Sequence, residues 1–225
     1  MKSLIDIIYP RLCPVCGRVL LRGEKHLCLN CLSELPLTYF WNWKENPAEQ
    51  IFWGRVYFER VASLILYRAE SPYRSIIHEF KYNNQVSLGR FMGSMLGKRL
   101  KESGLYNNID VIIPVPLHPL KKWKRGFNQA EIIARAISKE MKIPVLTGVL
   151  VRSRFTATQT KNDPQHRWRN VEKAFKIRNS GKIEGSGILL VDDVLTTGAT
   201  LEACGTALLE AKGSRVSVAT LAFVE

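Results

Sequence analysis

A long apolar run, a secretory leader, a Gly-x-x-x-x-Gly-Lys-Ser/Thr loop and any internal repeat or low-complexity segment are all missing from this chain of 225 residues. Nothing approaches the roughly 20 consecutive apolar residues that cross a bilayer, so no membrane insertion is expected. Ser3 to Tyr9 is too short and is broken by Asp6, which makes a poor signal-peptide core, and a cytoplasmic protein follows by default. The missing glycine-lysine loop argues against a P-loop nucleotidase. Acidic residues are also scarce: 20 Asp and Glu face 33 Lys and Arg, for a net charge of +13. The imbalance is local, with +2 in residues 1–60, +14 in 61–180 and −3 in 181–225, so the middle of the chain is the part that expects an anionic partner.

What remains suffices for one ordinary core. A chain of this length with 46% apolar and 24% charged residues can bury an α/β domain plus a small metal-stapled module. Cysteines number only 5, yet four of them form Cys13-Pro-Val-Cys16 and Cys28-Leu-Asn-Cys31, separated by 11 residues. Two such knuckles supply four thiolates for a tetrahedral Zn²⁺, with Gly17 and Gly23 available for the tight turns. Disulfides are disfavoured by the missing leader, and a redox pair by the missing thioredoxin-like context. An iron–sulfur cluster would use the same four thiolates, so that alternative stays open. His26 reads as a surface residue, because four sulfurs already complete a site. Cys204 reads as a small buried apolar residue on a helix.

Residues 188 to 200, Ile-Leu-Leu-Val-Asp-Asp-Val-Leu-Thr-Thr-Gly-Ala-Thr, carry the densest chemical signal. Ile188 to Val191 follow Gly187 as a short apolar run, as expected of a central parallel strand covered on both faces. Asp192 and Asp193 then fall at its carboxyl end, where open α/β sheets bind ligands. Val194, Leu195, Thr196, Thr197, Gly198, Ala199 and Thr200 lead into an amphipathic helix at 201–212 whose first amides can hold an anion. Paired carboxylates accept hydrogen bonds from the vicinal hydroxyls of a ribose, while the three threonine hydroxyls donate to a phosphate. Gly198 lets the backbone approach closely. The whole string looks like the loop of type I phosphoribosyltransferases that binds phosphoribosyl diphosphate (PRPP), which makes residues 192–200 the expected ribose and phosphate contacts.

A second strand is expected from Asp110, in Asp-Val-Ile-Ile-Pro-Val-Pro-Leu-His-Pro. Leu117 and His118 then open a loop crowded with Lys121, Lys122, Lys124 and Arg125, stiffened by prolines and closed by Gly126-Phe-Asn-Gln before a helix at 128–141. A Mg²⁺-bound diphosphate wants amides plus cations, and the same class of transferases places its diphosphate loop after such a strand. Leu117, His118, Lys121, Lys122, Lys124 and Arg125 are therefore the expected diphosphate residues. Further along, Arg154, Lys161, Arg167, Trp168 and Arg169 stand beside Arg152 and Phe155. Cations interleaved with aromatics follow a phosphate backbone and stack bases, so these five, with Lys121, Lys122, Lys124 and Arg125, make the expected track for single-stranded DNA. The same charges could instead close over a diphosphate, or do neither and serve solubility alone.

The coarse layout is a zinc ribbon at 1–38, an aromatic connector at 39–60 that seats the ribbon, and a main domain at 61–225. Within the last, Val61 to Arg68 reads as a strand, and Pro72 to Tyr82 and Ser87 to Lys101 as helices. Strands recur near Val111, Val149, Ala174, Leu189 and Val218. Strand–helix alternation after Asp110 implies an α/β fold with a parallel sheet flanked by helices. Residues 156–170 show neither period and read as a flap.

Taken together these features resemble the ComF family, bacterial competence-associated proteins that join an N-terminal zinc ribbon to a type I phosphoribosyltransferase domain. The resemblance covers nearly the whole chain. It rests on the double C-x-x-C, Lys81-Tyr82, Pro114-Val-Pro-Leu-His-Pro, Arg125-Gly-Phe-Asn-Gln129, Thr158-Gln159, Arg167, Asn170-Val171, Ala174-Phe175 and the Asp192-Asp193 loop. It implies structural zinc, PRPP with Mg²⁺, and a role in natural transformation, handling single-stranded DNA in the cytoplasm alongside a DNA-uptake helicase. Two readings stay open: a PRPP-binding protein of DNA uptake, and an active phosphoribosyltransferase that transfers phosphoribose to another nucleophile. A glutamine-dependent amidotransferase does not fit, because such enzymes need a nucleophilic cysteine at their processed amino terminus and the first cysteine here belongs to a knuckle.

Overall fold

The computed structural model describes residues 10–82, 85–117, 126–152 and 174–225. Its centre is a four-stranded parallel sheet in the order β1-β6-β5-β2, built from β1 (Val61–Tyr67), β2 (Val111–Pro114), β5 (Gly187–Leu195) and β6 (Arg215–Val224). Each central strand is a nearly unbroken apolar run, which is what a sheet covered on both faces requires. The period of two then divides the side chains: Leu189 and Val191 enter one core, Ile188 and Leu190 the other.

Three helices cover the first face: α3 (Arg74–Tyr82), α4 (Val86–Ser103) and α5 (Gln129–Met141). On the opposite face lie α6 (Ala199–Leu209) and the aromatic connector with its short helix α2 (Pro47–Gln50). Helix α4 carries Gly89, Gly93 and Gly97 at four-residue spacing, and a Cβ at Gly97 would stand 2.9 Å from the Ile137 Cα of α5. Missing side chains there let two helix backbones approach, at the expense of the helix propensity each glycine forfeits.

Both sheet edges are blunted. Pro36 to Thr38 runs antiparallel to β1, with the Thr38 amide donating to Leu64 (3.1 Å) and the Leu66 amide to Pro36 (2.8 Å). At the other edge the Ile112 amide donates to Pro144 and the Leu146 amide to Ile112, each at 2.9 Å. Covered edges offer no template for another chain.

Two expectations need correction. The strands near Val149 and Ala174 do not extend the parallel sheet: β3 (Leu150–Arg152) and β4 (Phe175–Ile177) pair antiparallel in a ribbon of their own. They are three residues each, too short to span the sheet, and Leu150 and Phe175 pack on the α6 side. The strand at 188–191 also runs on to Leu195, because Asp192 and Val194 still pair with Thr220 and Ala222 of β6. The acids therefore sit within the strand's last turn of pleat.

The ribbon shares the first core. Leu20, Leu27, Cys28 and Leu35 are buried together with Ile76, Phe80 and Met92. His26, expected at the surface, is half-buried against Phe91, their ring centroids 5.2 Å apart. In the connector, Phe40, Trp41, Phe52 and Phe58 are buried and do seat one part on another, whereas Trp53 and Tyr57 are 60% and 77% exposed. Phe58 occupies the space a side chain at Gly205 of α6 would need.

Candidate functional site

In the ribbon, the short helix α1 (Leu29–Ser33) is capped by the Cys28 sulfur, which accepts from the Cys31 amide at 3.4 Å. The four sulfurs of Cys13, Cys16, Cys28 and Cys31 all lie within 4.8 Å of one another, and those of Cys16 and Cys28 are 3.7 Å apart. Four sulfurs about 2.3 Å from a zinc ion form a tetrahedron with edges of about 3.8 Å, so the cluster has the size of a single-ion site. Its protonation points the same way. Burial pushes the Cys13 thiol up, but amides of Cys28, Cys16 and Val15 outweigh that and bring it down to about 6. Burial and then hydrogen bonds with the other three thiols push Cys31 up. Four clustered thiols cannot all ionise unaided, and a divalent cation removes the conflict. Glu24 holds the segment between the knuckles, accepting from the amides of Leu21 (2.6 Å) and Leu29 (2.8 Å) and pairing with Arg18 (3.0 Å).

The acid–threonine segment lies at the carboxyl edge of the sheet. Helix α5, following β2, packs on one face while α6, following β5, packs on the other, which is the reversal between adjacent parallel strands at which open α/β sheets bind ligands. Asp192 accepts from the Asp193 amide at 2.9 Å, and Asp193 Oδ2 stands 3.0 Å from Lys81 Nζ of α3. Burial and the Asp193 carboxylate push the Asp192 carboxyl up to about 7, against the pull of Lys81. Thr196, Thr197 and Thr200 are exposed, so their hydroxyls are open to a ligand. Val194 and Ala199 are half-buried, and Leu195 lies wholly in the core, where it can offer a ligand only its backbone. Gly198 caps α6 with φ +77°, the left-handed conformation that glycine adopts without strain. Cys204 is buried, and burial together with Asp192 pushes its thiol well up, so it is an inert core group as expected.

The connector grips the same segment from the other face. Arg55 donates to the Thr197 carbonyl at 2.9 Å and pairs with Glu202 of α6, while Phe52 and Ile51 pack directly over Gly198. Lys81 and Arg55 are the two residues that the sequence reading did not place at this site. Lys81 stood within a motif of the ComF resemblance; for Arg55 no local pattern exists.

Of the expected diphosphate residues, Leu117 is described, and His118, Lys121, Lys122, Lys124 and Arg125 lie outside the described residues. Both flanks of that loop reach the same edge of the sheet. The Val115 amide donates to Val191 at 2.9 Å, and Asn128, which caps α5, donates to the Val115 carbonyl at 3.0 Å. Next to it Gln129 is buried, and its amide nitrogen has no hydrogen-bond partner among the described residues. Arg154, Lys161, Arg167, Trp168 and Arg169 also lie outside the described residues. Among the described residues no helix is long and apolar enough to cross a membrane.

Known proteins fit this geometry. A family model described as a phosphoribosyl transferase domain matches residues 95–224, and one described as a double zinc ribbon domain matches residues 4–39. Competence protein F of Haemophilus influenzae is 29% identical over 193 residues, 84% of this chain and 74% of that protein. The DNA utilization protein YhgH of Shigella flexneri is 27% identical over 210 residues, 92% of this chain and 88% of its own. Competence protein ComFC of Bacillus subtilis is 30% identical over 119 residues, 51% of this chain and 44% of its own. Among solved structures, adenine phosphoribosyltransferase from Leishmania tarentolae overlaps 80% of this chain and 89% of its own at 17% identity and a TM-score of 0.40. With a phosphoribosyl transferase domain over more than half its length, a four-cysteine zinc ribbon before it and competence proteins among its relatives, this chain belongs to the ComF family.

Proposed function

We propose that this protein binds PRPP with Mg²⁺ through residues 192–200 and handles single-stranded DNA in the cytoplasm during natural transformation. The observation that carries the reading is the carboxyl edge of β5: two carboxylates, then exposed threonines and a glycine-led helix start, where β5 runs beside β2. Asp192 and Asp193 would accept the ribose hydroxyls, and Thr196, Thr197 and Thr200 would donate to the 5-phosphate. When bound, Mg²⁺ supplies countercharge to the diphosphate. Leu117, His118, Lys121, Lys122, Lys124 and Arg125 would hold that diphosphate from the loop after β2. The ribbon, at about 1–38, keeps zinc as a structural ion, and the connector at 39–60 joins it to the ligand-binding domain at 61–225. The DNA part of the reading is supported by the +14 charge of residues 61–180 and by the names of the competence and DNA utilization relatives. A DNA-uptake helicase is the partner this role calls for.

Calorimetry with PRPP and Mg²⁺ tests the first half. Asp193→Ala and Thr197→Ala should each cost about 1–3 kcal/mol of affinity, the range for stranding a charged or buried partner. Unchanged affinity in both would remove the site. For DNA, the logarithm of affinity should fall with the logarithm of salt at about −0.7 per neutralised phosphate, and replacing Lys121, Lys122 and Lys124 with alanine should flatten that slope. Trp168→Ala should weaken binding at unchanged slope, since stacking releases no counterions. Acceptor-dependent diphosphate release, with DNA binding indifferent to the lysines, would instead establish an active phosphoribosyltransferase.

A further inference from the structure

Residues 192–200 contain two acids and no cation, and the family model that covers them begins only at residue 95. Among the described residues, the cation that pairs with these acids comes from upstream. Lys81 closes helix α3, which Ile76, Ile77 and Phe80 anchor in the core of the first face. That anchoring leaves its ammonium 3.0 Å from Asp193 Oδ2, in a pair whose side chains are only 21% and 15% exposed. An ammonium carries three donors, and the Asp193 oxygen uses one.

We infer that Lys81 is a further ligand-binding residue of the PRPP site: it orients Asp193 for the ribose and turns its remaining donors to the bound anion. The inference rests on the reading of residues 192–200 as that site. Three observations support it. Half-burial of the pair makes a chance surface contact a poor account, because exposed pairs of this kind hold no fixed geometry. Two adjacent acids at one strand end repel each other, and among the described residues Lys81 is the cation that faces them. Finally, the described groups around Asp192 are Asp193 on its own strand, Lys81 from α3 and the Cys204 thiol from α6, so removing Lys81 takes away the cation that the described residues set against the acids.

Lys81→Met and Lys81→Arg, with Asp193→Asn as reference, separate the outcomes when PRPP–Mg²⁺ binding is measured by calorimetry from pH 6 to pH 9. Lys81→Met should weaken binding roughly ten- to hundredfold at pH 7, the range of a charge-assisted hydrogen bond. It should also move the midpoint of the pH–affinity curve upward by about one unit, since Asp192 loses the cation that favours its charged form. Lys81→Arg keeps the charge and should keep the wild-type midpoint. Lys81→Gln provides the same comparison should the methionine variant be poorly soluble. Binding within twofold of wild type and an unmoved midpoint in Lys81→Met, while Asp193→Asn fails to bind, would make Lys81 a structural residue and overturn the inference alone. No PRPP binding by the wild type would overturn the site together with it.

Discussion

Gly198→Ala should be among the most damaging single-atom-group changes in this chain, and its magnitude follows from two separate contributions. Gly198 has φ +77°, and placing an L side chain in that region costs roughly 1–2 kcal/mol. The new Cβ would then stand 2.7 Å from Phe52 Cε1 and 3.0 Å from Ile51 Cγ2. Phe52 cannot easily swing away, because it is buried and packs edge-on against Phe58, with centroids 4.7 Å apart. Overpacking of that kind costs typically about 1–3 kcal/mol. The total is about 2–5 kcal/mol, or a melting temperature lower by roughly 4–20 °C at this chain length. Chemical denaturation of wild type, Gly198→Ala and Gly198→Asn resolves the two parts, since asparagine tolerates the left-handed region but brings the same Cβ. A Phe52→Leu background should recover only the steric part, as a coupling of about 1–3 kcal/mol between the two positions. Gly198→Ala within about 0.5 kcal/mol of wild type would refute the argument, since that is the ordinary scatter of surface substitutions.

Purified protein should carry one zinc ion per chain, and Cys28→Ser should lose it by elemental analysis; because the ribbon's buried residues belong to the same core as α3 and α4, melting temperature should fall for the whole molecule. Metal-free protein of unchanged stability would count against a structural zinc. Arg55→Ala should weaken PRPP binding by about 1 kcal/mol, roughly fivefold, through the lost bond to the Thr197 carbonyl, and leave stability little changed because the Arg55–Glu202 pair is partly exposed. Lysine at 55 should not restore affinity, since it lacks the fork that reaches both partners; full restoration would show that charge alone matters. PRPP affinity should decline as pH falls below about 7, because a carboxyl raised to that value is ionised only above it. An affinity flat down to pH 5 would show that Asp192 does not need its charge.

The chemistry of this protein was legible wherever it is carried by neighbours in the chain. Two C-x-x-C knuckles bring their sulfurs together by local turns, and the string from Ile188 to Thr200 places acids, threonines and glycine by running one strand into one helix. The presence of a strand and then a helix near the site was readable for the same reason, because an apolar run and a helical stripe are each local patterns, whereas the strand's far end depends on its pairing with β6. What joins distant segments was not. The pairing of Leu150–Arg152 with Phe175–Ile177 could not be told from sheet strands, since segments of three residues carry too little pattern to separate the two settings. Likewise the glycine row of α4 has meaning only against the Phe80 ring of α3, which Gly89 faces, and against α5, which Gly93 and Gly97 face. The two cations that hold the acid–threonine segment, Lys81 from one face and Arg55 from the other, have no motif that ties them to it. Their roles depend on how α3 and the connector pack on opposite sides of the sheet, and hydrophobic burial decides that packing from the whole set of apolar faces at once. Sequence alone thus determined which chemical groups this protein carries; tertiary packing decided which of them meet.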